Sequence, residues 1–89
     1  MIEAAGVGAM LRPELFHRLV EEDSAAVRRR AAELGLIGAI ALRNVEFESH
    51  RAALEARGGV RTPALWDGTR LHEGREAVEA ALARLAGAP

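Results

Sequence analysis

The segment Thr62-Pro63-Ala64-Leu65-Trp66-Asp67-Gly68 constrains this chain more than any other. An Asp-Gly pair behind a short apolar run is a strong short-range hairpin signal, because glycine supplies the backbone freedom a tight turn needs. The proline ahead of the run favours an extended chain on entry. An antiparallel hairpin is therefore expected in the C-terminal half, with Thr69 to Leu71 starting its return strand. The chain has 89 residues, enough for one compact domain and not for two, so the remaining segments must pack around that hairpin.

Those segments alternate in kind. Glu14 to Val20 carries Leu15, Phe16, Leu19 and Val20 at a spacing that also suits a helix, but its place in the overall pattern argues for a strand. Asp23 and Ser24 are good N-caps for a helix from Ala25 to Leu34, with Val27, Ala31 and Leu34 in one stripe and Gly35 closing it. Ile37 to Leu42 reads as a buried parallel strand, ended by Arg43-Asn44-Val45. Ser49 is placed to cap a second helix with Ala52, Ala53 and Ala56 inward, stopped by Gly58-Gly59. A last helix runs from Arg75 to Leu85, with Val78, Leu82 and Leu85 on one face and Gly87 beyond its end. A parallel pair joined by a helix, followed by a hairpin and a closing helix, requires helices on both sheet faces. The expected class is an α/β sandwich, over residues 14–86, preceded by a Gly- and Ala-rich extension over residues 1–13.

Composition narrows the chemistry. Twelve basic residues against thirteen acidic ones give a net charge of −1, without the basic excess of a nucleic-acid binder. Arg28-Arg29-Arg30 reads as a solvated helix face. Cysteine is absent, which removes disulfides, thiolate metal sites and cysteine nucleophiles together and fits a reducing compartment. Met1 to Met10 lacks the positive leading segment of a signal peptide, and no apolar run reaches bilayer-spanning length, so a soluble cytoplasmic protein without a membrane partner is expected. His17, His50 and His72 match no zinc spacing, and Ser24 is explained as a cap more simply than as a nucleophile. Gly6-Val7-Gly8 lacks the strand before and helix after that a nucleotide fingerprint needs. With only three aromatic residues, Phe16, Phe47 and Trp66, the core must be aliphatic, and Trp66 should be at least half-buried in the third strand.

Residues in this order resemble a known family. Leu15-Phe16-His17-Arg18, then Val27-Arg28-Arg29 and Ala32-Glu33-Leu34-Gly35-Leu36, then Arg43-Asn44-Val45, Gly58-Gly59, Thr62-Pro63-Ala64-Leu65 and Asp67-Gly68, are similar in sequence and spacing to bacterial glutaredoxin-like proteins and to the N-terminal domain of glutathione S-transferases. The resemblance covers roughly Glu14 to Leu85. It implies a thioredoxin-like βαβ-ββα sandwich, a four-stranded mixed sheet flanked by three helices. It places the family's Cys-Pro-x-Cys motif on Glu21-Glu22-Asp23-Ser24, with Glu21 for the nucleophile and Ser24 for the resolving cysteine. It also implies a cis Thr62-Pro63 bond, whose leading residue pairs by its backbone with glutathione or a substrate peptide.

The expected function is a redox-inactive domain, with no catalytic residue and no metal, that binds a peptide, a thiol-peptide such as glutathione, or a protein partner beside Thr62 and Pro63. Ser24 belongs to that candidate site, and Arg61 and Arg75 are candidates to hold a ligand carboxylate. Glu73-Gly74-Arg75 stands where transferases carry a Glu-Ser pair, with the serine missing. Three carboxylates at the first helix's positive end should cap it and repel a second anion. A glutathione-dependent transferase or isomerase, with Ser24 orienting the thiol, is the alternative. A helix-turn-helix DNA binder, with Pro13 to Glu22 and Ser24 to Leu34 as the helix pair, is a lesser one.

Overall fold

The computed structural model describes residues 12–87. Most of the expected extension over residues 1–13 lies outside them. The first strand, β1 (Glu14–His17), is followed by α1 (Glu22–Glu33), a short 3-10 turn at Ile37–Ala39, and β2 (Ala41–Asn44). Next come α2 (Glu48–Ala56), β3 (Ala64–Trp66), β4 (Leu71–Glu73) and α3 (Arg75–Leu85). The sheet order is β2-β1-β3-β4. β1 runs parallel to β2 and antiparallel to β3, and β3 pairs antiparallel with β4. This is the thioredoxin-like sandwich, a four-stranded mixed sheet with three helices. A helix over Pro13 to Glu22 is excluded, because Glu14 to His17 are hydrogen-bonded sheet, and the helix-turn-helix alternative falls with it.

Strand alternation builds two apolar layers. Leu15 and Leu65 face α1 and α3, where they meet Val27, Ala31, Val78, Ala81 and Leu82. Their neighbours Phe16 and Ala64 face the other way, against Val45 and Leu54 of the α2 side. α2 turns Leu54 and Ala53 inward, whereas the expected inner residues Ala52 and Ala56 are exposed. Trp66 is half-buried beside this second layer, with the Arg57 guanidinium 4.3 Å from its ring centroid.

Several boundaries differ from the sequence reading, each for a local reason. β1 stops at His17, and Leu19 and Val20 lie in an exposed turn. α1 begins at Glu22, with Glu21 at the cap position, so Ser24 sits inside the first turn and is not the N-cap. The apolar run after Gly35 spends Ile37–Ala39 on a 3-10 turn, and the strand starts at Ala41. Phe47, not Ser49, precedes α2. The hairpin loop spans four residues, because the Asp67 carboxylate accepts from the N–H groups of Thr69 and Arg70 at 2.8 and 2.9 Å and draws both into the turn. Gly35, Gly58 and Gly87, expected as helix stops, all have positive φ. The Thr62–Pro63 peptide is cis.

Candidate functional site

Antiparallel pairing of β1 with β3 brings the exit of β1 beside the entrance of β3, with Phe16 opposite Ala64. The chain leaving β1 (Arg18 to Ser24) and the chain arriving at β3 (Val60 to Pro63) therefore meet at one end of the sheet. They are joined there by side chains. Thr62 donates its hydroxyl to Glu21 Oε1 at 2.9 Å, and Ser24 donates its hydroxyl to the same oxygen. Ser24 in turn accepts from the Arg18 backbone N–H at 3.1 Å. It is fully buried, and its hydroxyl is spent on these two bonds. Ser24 thus ties the turn to the helix and is not presented to solvent as a nucleophile.

The other residues singled out from sequence divide between site and scaffold. Asp23 Oδ1 lies 3.6 Å from Arg75, whose pKa is raised above the ordinary arginine value mainly by its bond to Glu79 and further by Asp23. Of the three carboxylates at this helix end, Glu21 is thus bound to Thr62 and Ser24, Asp23 is paired with Arg75, and Glu22 is exposed. Glu73 accepts the backbone N–H groups of Val60 and Arg61, at 2.9 and 3.2 Å. Its carboxylate fixes the approach to Thr62. Arg61 is held by this backbone bond and is itself exposed.

Neither the N–H nor the carbonyl of Thr62 takes part in a backbone hydrogen bond among the described residues. The next carbonyl, of Pro63, is taken by Gly74 N–H at 2.9 Å. An unpaired backbone step lies here beside an open cleft of about 90 Å3. Val45 and Leu54, both buried, lie in its lining, and Arg18, Arg51, Arg61 and Val60 surround them with Thr62. Arg51 donates to the Val45 carbonyl at 3.3 Å. Glu55 is the one carboxylate in the lining. Arg18 and Arg51 were not sequence candidates. They come from β1's exit and from α2, thirty-three positions apart in the chain, and no local pattern joins them.

Beneath the turn, Arg28 donates from one nitrogen to His17 Nδ1 and to the Arg18 carbonyl, both at 3.0 Å. Accepting at Nδ1 leaves the proton of a neutral imidazole on Nε2. Burial, the Arg28 charge and His50 together lower the His17 pKa below 6.5, against a small opposing pull from Glu46. Arg28 is therefore half-buried and structural, and only Arg29 and Arg30 form the solvated face expected for all three arginines. Among the described residues no three His, Asp or Glu side chains converge as a metal site would require, and no helix is long and apolar enough to cross a membrane. Without a cysteine these residues have no thiolate, so thiol–disulfide exchange is not open to them. Comparison with protein-family models, with characterised proteins and with solved structures finds no match.

Proposed function

We propose that this chain is a redox-inactive, glutaredoxin-like binding module that takes an extended peptide, or a thiol-peptide such as glutathione, beside Thr62 and Pro63. The observation that carries this reading is the unpaired backbone of Thr62 next to the cleft. A backbone N–H and C=O without a partner among the described residues can pair with the main chain of a ligand, and a neighbouring cleft can select one of its side chains. Glu21 supports binding without turnover. It stands where the resemblance puts the nucleophile, and it is bonded to Thr62 and Ser24. A carboxylate there favours neutral ligand groups over a thiolate, so a thiol ligand is expected to bind protonated.

An NMR titration of the 15N-labelled protein with glutathione, and separately with a short uncharged peptide, tests the reading. Saturable shifts of the Thr62 and Arg61 amides are expected with at least one of the two. Glu21→Gln should strengthen glutathione binding, because it relieves like-charge repulsion and leaves the Thr62 backbone in place. If neither glutathione nor any peptide, uncharged or acidic, moves Thr62, the groove does not bind peptides and the proposal is withdrawn.

A further inference from the structure

The same cleft carries a pattern that narrows the ligand. Its volume of about 90 Å3 is several times the roughly 10–15 Å3 that a single water needs, room for one branched aliphatic side chain. Its apolar lining, Val45 and Leu54, suits such a side chain. Three arginines, Arg18, Arg51 and Arg61, line it against the single carboxylate of Glu55, while at its edge the carboxylates of Glu21 and Glu73 are engaged by Thr62 and Ser24 and by the Val60 and Arg61 N–H groups. Arg18 and Arg61 are exposed, and among the described residues neither guanidinium has a hydrogen-bonded partner. Arg51 keeps donors beyond its bond to Val45. The two segments joined by the Thr62–Glu21 bond also expose aliphatic residues: Leu19 and Val20 are 60% and 88% exposed, and Val60 is 86% exposed.

We infer that the cleft docks an acidic segment of a partner protein, an extended stretch in which one aliphatic residue is flanked by Asp or Glu. The inference rests on the peptide-groove reading and adds the class of ligand. The aliphatic residue fills the cleft, the flanking carboxylates meet Arg18 and Arg61, and the backbone pairs with Thr62. Unpaired guanidinium groups favour carboxylates because each contact is a charge-assisted bond. The aliphatic surroundings favour a polypeptide over a single-stranded nucleic acid, which needs aromatic stacking platforms, and among the described residues the cleft lining contains none.

The test uses the whole chain and a fluorescein-labelled, end-blocked peptide of sequence Gly-Glu-Asp-Val-Asp-Glu-Gly, followed by anisotropy and by the Thr62 amide shift. Three comparison probes are used. One carries Gln and Asn for the acids, one carries Ser for Val, and one is a single-stranded oligonucleotide. The acidic valine peptide should bind best and weaken as salt rises. Arg18→Gln and Arg61→Gln should each weaken it about tenfold, as loss of one charged hydrogen bond implies. Circular dichroism should show both variants folded, since among the described residues neither side chain has a partner to lose.

If the amide peptide binds as tightly, moves Thr62 and ignores both arginine changes, the acidic ligand class is overturned while the groove reading stands. Equal binding of the Ser peptide overturns the aliphatic part. Binding of the oligonucleotide in place of the peptide, lost in the arginine variants, makes the surface a nucleic-acid site and overturns the inference. If no peptide moves Thr62, the inference fails, and the groove reading stands only if glutathione moves that amide.

Discussion

Ser24 and His17 show how single side chains hold the end of the sheet where the loops converge. Ser24 was expected as a helix cap, yet its hydroxyl links the Arg18 N–H to the Glu21 carboxylate from within the helix's first turn. Ser24→Ala removes both bonds at a fully buried position and should destabilise the fold by about 1–3 kcal/mol. A shift of the urea midpoint at unchanged m-value measures it. A variant as stable as the parent would mean that water replaces the hydroxyl. His17 makes a pH prediction. Above pH 6.5 the imidazole is neutral in both folded and unfolded chains, and it adds no pH dependence. As pH falls from 6.5 through the lowered folded value, the unfolded chain takes up the proton first, so stability drops across that window. Arg28→Met should raise the His17 pKa and shrink the drop. The His17 ring-proton titration in parent and variant reads both effects, and a His17 midpoint at or above 6.5 in the parent would contradict the account.

At the scale of elements, the hairpin is the most self-contained unit. Its loop is organised by Asp67, which accepts from two backbone N–H groups and lies 2.7 Å from His72 Nε2. Burial pushes the Asp67 pKa up, but the His72 bond and the N–H groups of Arg70 and Thr69 outweigh it and bring the value down to about 2. Because the folded value lies below the unfolded 3.8, this stabilisation is fully present above pH 3.8 and is lost as pH falls through about 2. Asp67→Asn should remove that dependence and lower stability at neutral pH by on the order of 1 kcal/mol, allowing for solvent screening. Parallel acid-unfolding curves for parent and variant below pH 4 would refute this role. The hairpin was legible in sequence because Asp-Gly and Thr-Pro act through local backbone geometry, and the helix stops at Gly35, Gly58 and Gly87 were legible for the same reason. The start of β2 was not. Ile37 and Leu42 look alike in an apolar run, and only packing decides that Ile40 is buried while Ile37 and Leu42 stay exposed. The cleft was legible only at Thr62 and Arg61. Glu21 meets Thr62 across forty-one positions, and Arg18 and Arg51 share the cleft only because the exit of β1 and the helix α2 come to one place in the fold.

For the molecule as a whole, the arrangement of the two apolar layers predicts a single unfolding transition. The layers lie on opposite faces of one sheet and share no buried side chain. They could melt separately if each had its own strands, but they do not. Leu15 and Phe16 are neighbours in β1, and Ala64 and Leu65 are neighbours in β3, so each central strand serves both layers. Losing one layer removes the support that keeps these strands extended for the other. Leu54→Ala, on the α2 side, should cost about 2–5 kcal/mol. Val27→Ala, on the α1 and α3 side, deletes fewer buried methyl groups and should cost less. Both should shift the same cooperative transition. Trp66 lies beside the α2-side layer, so its fluorescence follows that face, while far-UV circular dichroism follows all three helices. The two signals should coincide in the parent and in both variants. A Trp66 transition that Leu54→Ala moves away from the circular-dichroism transition would show the α2 side unfolding alone. Val45 and Leu54 in the cleft lining belong to that side, so ligand binding would then be coupled to its local folding and the cleft would not be a preformed site.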